Sequence, residues 1–86
     1  MIETERLCFA RGVVLREEDE ASLLLVPEGA IFLNGTAAAI ANLIDGKRTF
    51  AEIVEVLSEQ FSEERERVAA DAREFIERLR ASGVLA

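Results

Sequence analysis

The hydrophobic pattern of this chain changes once, at Asn34. Before it, apolar residues come in short runs cut by polar turns. After it, they recur at helical spacing. A chain patterned this way is expected to build a small sheet first and then cover one face with helices.

Three runs precede Asn34. Gly12 to Arg16 carries β-branched Val13 and Val14 and reads as a strand. Ser22 to Val26 is nearly all apolar and makes a second strand, and Ala30-Ile31-Phe32-Leu33 a third. Glu17-Glu18-Asp19-Glu20 reads as the first hairpin connection. Pro27-Glu28-Gly29 reads as the second turn, since Pro27 has no amide hydrogen for a ladder and Gly29 tolerates positive φ. Turns this short make the strands an antiparallel meander. Upstream, Arg6-Leu7-Cys8-Phe9 reads as a short extended piece.

Asn34 is a good N-cap for a first helix, whose stripe is Ala37, Ile40, Ala41 and Ile44. Asp45-Gly46 is expected to stop it, with Gly46 in the left-handed conformation. Thr49 and Glu52 form a T-x-x-E capping box opening a second helix, with Phe50, Ile53, Val54, Leu57 and Phe61 on its apolar face. Ser62 is expected to cap a third helix, with Glu63 and Glu64 at its positive end. Val68, Ala72, Phe75, Ile76 and Leu79 are its expected buried stripe, Gly83 its terminator, and Val84-Leu85 a tail that packs back. No repeat, linker or low-complexity segment interrupts the pattern. The expected architecture is one α+β domain over residues 1–86, a three-stranded antiparallel sheet followed by three helices. The short Asp45-Gly46-Lys47-Arg48 connection gives it a winged helix-turn-helix character.

Composition limits the chemistry. The 86 residues include no His, Tyr or Trp and a single cysteine, Cys8. The commonest general base and metal ligand is therefore absent, and one thiol neither builds a metal site nor has a His to activate it. Cys8 reads as a small hydrophobe. No catalysis, metal or cofactor is expected. With no disulfide possible, no signal-peptide pattern and no membrane-length apolar run, the expected location is the cytoplasm and no membrane contact is expected. The net charge of −7 opposes nucleic acid. The third helix, Glu63 to Ser82, has five Arg against six Asp and Glu, unlike a DNA-reading helix. Its Arg67–Asp71 and Glu74–Arg78 spacings read as surface ion pairs.

The last strand, Ala30 to Leu33, closes the meander and leaves one backbone edge. Either a local helix or the N-terminal segment covers that edge, or another chain adds to it as a strand.

The block Ile31 to Ile53 resembles the PqqD family of pyrroloquinoline quinone (PQQ) biosynthesis, the type member of the recognition elements for ribosomally made, modified peptides (RiPPs). The resemblance lies in Leu33-Asn34, Thr36 to Ile40, Asp45-Gly46, Arg48-Thr49 and Glu52-Ile53. Arg11-Gly12-Val13, Val26-Pro27 and Gly83-Val84-Leu85 also fit, so it covers Leu7 to Leu85. Two features depart from the family pattern, the short, very acidic Glu17–Glu20 hairpin and Phe32 in place of an aliphatic residue.

The resemblance implies a peptide-binding module that is not an enzyme. Its ligand would be the leader of a precursor peptide, lying as an added strand on the third strand and over the third helix. The implied contacts are Ala30, Ile31, Phe32 and Leu33 on the strand. On the helix they are a floor of Phe75 and Leu79 and a charged rim of Asp71, Glu74 and Arg78. The complex would be presented to a radical S-adenosylmethionine (SAM) enzyme, in the quinone pathway the one that joins a Glu and a Tyr of the precursor. Related elements serve lasso-peptide and other RiPP pathways. Two other classes stand beside this one: a winged-helix DNA-binding regulator, favoured by topology and opposed by charge, and a structural subunit whose open edge pairs with itself. The expected assembly is a monomer or weak dimer.

Overall fold

The computed structural model describes residues 4–19 and 21–86. The chain runs β1 (Val14–Glu18), β2 (Ala21–Val26), β3 (Gly29–Leu33), α1 (Gly35–Asn42), α2 (Phe50–Phe61) and α3 (Arg65–Ala81). The strands form one antiparallel sheet in the order β1-β2-β3, so the α+β meander-then-helices expectation holds.

The first strand is shifted from its expected place. Gly12 has φ 87° and turns the chain, so pairing starts only at Val14. Glu17 and Glu18 are strand residues opposite Ser22 and Ala21 rather than parts of the connection. Only Asp19 and Glu20 connect β1 to β2. Asp19 takes φ 53°, a conformation Asp tolerates in a tight hairpin; Glu20 lies outside the described residues.

Register divides the sheet into two apolar faces. Leu15, Leu24 and Ile31 stand opposite one another, and this inner row packs into the core together with Val26 and Leu33. The outer face carries Val14, Leu25 and Ala30 in one row and Arg16, Leu23 and Phe32 in the next.

The helices supply most of the core. Phe50, Ile53, Val54 and Leu57 of α2 meet Val68, Ala72, Ile76 and Leu79 of α3, with Leu24 from the sheet and Ile40 from α1. No polar or charged residue is buried among the described residues. Phe75, expected within the α3 stripe, is only half-buried, and Phe61 at the end of α2 is 44 % exposed. Both line hollows at the surface.

The helix ends follow local chemistry, with two corrections. The α2 capping box forms as expected: the Glu52 N–H donates to Thr49 Oγ1 at 3.2 Å, and the Thr49 N–H to Glu52 Oε1 at 2.9 Å. That N–H holds the Glu52 carboxyl below its ordinary range. Asp45 is lowered likewise, by the N–H groups of Arg48 and Lys47. The first correction concerns α1, which ends at Asn42 rather than at Asp45-Gly46. Gly46 does take φ 81°, but to receive the N-terminal segment, its N–H donating to the Leu7 carbonyl at 2.7 Å. The second concerns Ser62, which is the left-handed C-cap of α2 (φ 54°); α3 starts from Glu64, which makes no side-chain cap bond.

The two ends of the described chain are tied together. Phe9 bridges Leu85, the Ala10 N–H donates to the Val84 carbonyl at 2.8 Å, and the Ala86 N–H to the Cys8 carbonyl at 3.1 Å. Leu7, Val84 and Leu85 are buried by this clasp. Cys8 is exposed, so its backbone rather than its side chain serves the fold. Among the described residues, no helix is long and apolar enough to cross a membrane, and no group of His, Cys, Asp or Glu is placed to hold a metal.

Candidate functional site

The clasp settles what the N-terminal segment does. Arg6 bridges Thr49 and Phe9 bridges Leu85, so this segment is committed on the helical side. Among the described residues, β3 pairs with β2 alone. Its far edge has no strand beside it.

Which backbone groups that edge presents follows from the register. The hairpins close at Glu18↔Ala21 and Val26↔Gly29, each across two residues. In such hairpins the closing pair exchanges its hydrogen bonds, and bonded and non-bonded pairs then alternate. Gly29, Ile31 and Leu33 therefore turn their N–H and C=O toward β2. Ala30 and Phe32 turn theirs outward. The Phe32 side chain lies on the outer face and is 78 % exposed, an uncommon state for an aromatic ring.

Beside this edge runs a groove floored by α3. Its central hollow, about 280 Å³, is lined by Ile31, Phe32 and Leu33 of β3 and by Phe75, Arg78 and Leu79 of α3. Leu79 is buried and forms the base, while Phe75 stands half-open in the wall. A second hollow of about 200 Å³ adjoins it and adds Asp71 and Glu74. The site residues expected from sequence are thus brought together, apart from Ala30, which sits on the edge but lines neither hollow. On the rim, Arg78 Nη2 and Glu74 Oε1 pair at 2.7 Å while both stay largely solvent-exposed, so the pair adds little stability and remains available. Arg67 and Asp71, expected to pair, form no salt bridge.

Sequence reasoning missed Asn34, Ala37 and Ser82, which also line the central hollow. Asn34 carried a signal for capping only, and it does cap: its Oδ1 accepts from the Ala37 N–H at 2.8 Å. The first turn of α1 forms part of the groove wall for that reason.

The groove offers two outward peptide units, an apolar floor and a mixed-charge rim. That combination suits an extended peptide that hydrogen-bonds to the edge and drops alternate side chains into the groove.

Comparison with known proteins identifies relatives of the chain. Residues 21–85 match the family described as coenzyme PQQ synthesis protein D (PqqD). A PqqA binding protein of Klebsiella pneumoniae (strain 342) is 45 % identical over 65 residues, covering 73 % of this chain and 71 % of that protein. The solution structure of the PqqD part of Methylobacterium extorquens PqqCD, a functional and stand-alone RiPP recognition element, superposes with a TM-score of 0.84 at 27 % identity, covering 98 % of this chain and 92 % of that one. TbiB1 in complex with the TbiA(beta) leader peptide superposes with a TM-score of 0.80 at 25 % identity, covering 91 % and 93 %. With most of its length matched in sequence and nearly all of it in fold, this chain belongs to the PqqD family.

Proposed function

We propose that this protein binds the leader of a ribosomally made precursor peptide, of the PqqA type, as an added strand on β3. It presents that peptide to a modifying radical SAM enzyme in pyrroloquinoline quinone biosynthesis. The observation that carries the reading is the unpaired β3 edge lying directly beside an apolar hollow on α3. The relatives named for PqqA binding and the neighbour solved with a leader peptide support it. Ala30 and Phe32 supply the backbone bonds. Ile31, Leu33, Phe75 and Leu79 receive a side chain. Asp71, Glu74 and Arg78 read charge along the peptide. The protein contributes binding and orientation, not chemistry, and acts without a cofactor.

Phe32→Pro tests this reading. Proline is tolerated on an edge strand where its missing N–H would face solvent, so the fold should survive by circular dichroism. Binding of a synthetic PqqA peptide, measured by calorimetry, should be lost. Unchanged affinity would remove the strand-addition mode.

A further inference from the structure

The groove does not end at the rim formed by Asp71. Beyond it lies a further hollow of about 300 Å³ at the junction of all three helices. Its walls are Leu57 and Phe61 of α2, Ile40 of α1 and Val68 of α3. Leu57, Ile40 and Val68 are buried at its base, while Phe61 is 44 % exposed at its mouth. Thr36, Ile40 and Asp71 line both this hollow and the one before it. The three hollows therefore adjoin in series, from the β3 edge, past Asn34 and the first turn of α1, to the three-helix junction.

We infer that this junction is a second anchor pocket for the same peptide. It takes an aromatic or large aliphatic side chain from the segment that continues past the end of β3 at Asn34. The inference rests on the proposed peptide-binding reading and adds to it a second point of attachment and a spacing. Chemistry selects the occupant. The base is apolar and the open ring at its mouth offers a stacking or edge contact. The mouth also carries Glu63 and Asp71 with Arg67, and Asp71 forms no ion pair with a described residue. A Lys or Arg of the peptide beside its second anchor would pair with Asp71.

Geometry sets the spacing. The α3 residues lining the two pockets are centred about nine residues apart, which is about 13 Å along a helix. An extended chain covers that distance in about four residues. A peptide using both pockets must therefore carry two apolar side chains separated by about that interval. Two modest anchors on one chain give an affinity neither gives alone, because seating the first places the second at high local concentration.

An alanine scan of a synthetic PqqA peptide, read by calorimetry, tests this. Two apolar positions about four residues apart should each weaken binding by about tenfold or more. Phe61→Ala in the protein should weaken the parent peptide by a similar factor. It should leave unchanged the affinity of the peptide whose second anchor is already alanine, since that contact is then lost only once. Arg67→Trp, at an exposed position of α3 that lines this hollow and not the two before it, fills the same pocket without touching the core. It should behave in the same way, and it carries the test if Phe61→Ala unfolds. Should both variants bind the parent peptide as tightly as the wild type while Phe32→Pro abolishes binding, the second pocket is overturned and the strand-addition reading stands. Should Phe32→Pro also bind normally, or the wild type not bind, both are overturned.

Discussion

The α2–α3 pair and the β3 edge are built from the same kinds of residue and end in opposite states. In the helical pair, Phe50, Ile53 and Ile76 are almost wholly enclosed. The Arg73 guanidinium also sits 5.0 Å from the centre of the Phe50 ring, extending the packing with a cation–π contact. At the edge, Phe32 is open, Phe75 is half-open and two peptide units point at solvent. One region spends its apolar residues on stability. The other keeps them unpartnered, a state selected against in a monomer unless the surface is used. Stability and binding should therefore respond to different mutations.

The largest expected contrast is between Ile76 and Phe32. Ile76 has no exposed surface, so Ile76→Ala should cost about 2–5 kcal/mol in chemical denaturation, a large part of what so small a domain has. Phe32→Ala should stay within about 0.5 kcal/mol. Equal losses would dissolve the distinction between the two regions. Thr49→Ala breaks the capping box and should cost about 1 kcal/mol without altering peptide affinity.

A pH series sharpens the same division. Glu52 and Asp45, both in the helical half, have carboxyls held below their ordinary range by N–H donors. A carboxyl lowered on folding adds stability above its unfolded pKa, and that stability is lost as pH falls through the folded value. The melting temperature should thus fall on acidification below the ordinary carboxylate range. Glu52→Gln and Asp45→Asn should each flatten that acid limb, and a limb unchanged in both would contradict the assignment. The smallest expected effect is at the rim. Arg78→Glu should leave stability unchanged, weaken an acidic leader and alter the salt dependence of binding.

Much of this division was legible in the sequence where the cause is local. The T-x-x-E spacing of Thr49 and Glu52, the Asn34 cap and the Pro27 turn depend on residues within a few positions, and each forms as expected. Ser62 misled because a left-handed C-cap is usually glycine, whereas Ser before two acids resembles an N-cap. Glu17 and Glu18 misled because a charged run reads as a loop, yet charges are a common guard for an edge strand such as β1. Burial was the least legible property. Phe50, Phe61 and Phe75 all fall on helical stripes. Only tertiary packing decides that the first is enclosed and the others line hollows. The clasp of Phe9 on Leu85 joins distant residues, which periodicity does not reveal. Yet that clasp is what leaves β3 open.

Amide hydrogen exchange with and without a synthetic PqqA peptide tests the central claim most directly. In the free protein, the amides of Ile31 and Leu33 should already be protected, because they bond to β2, and those of Ala30 and Phe32 should exchange fast. On peptide binding, Ala30 and Phe32 should become protected, together with slower exchange around Phe75. Protection that appears instead at Lys47 and Arg48 and along α2, with Ala30 and Phe32 still exchanging fast, would contradict strand addition at β3.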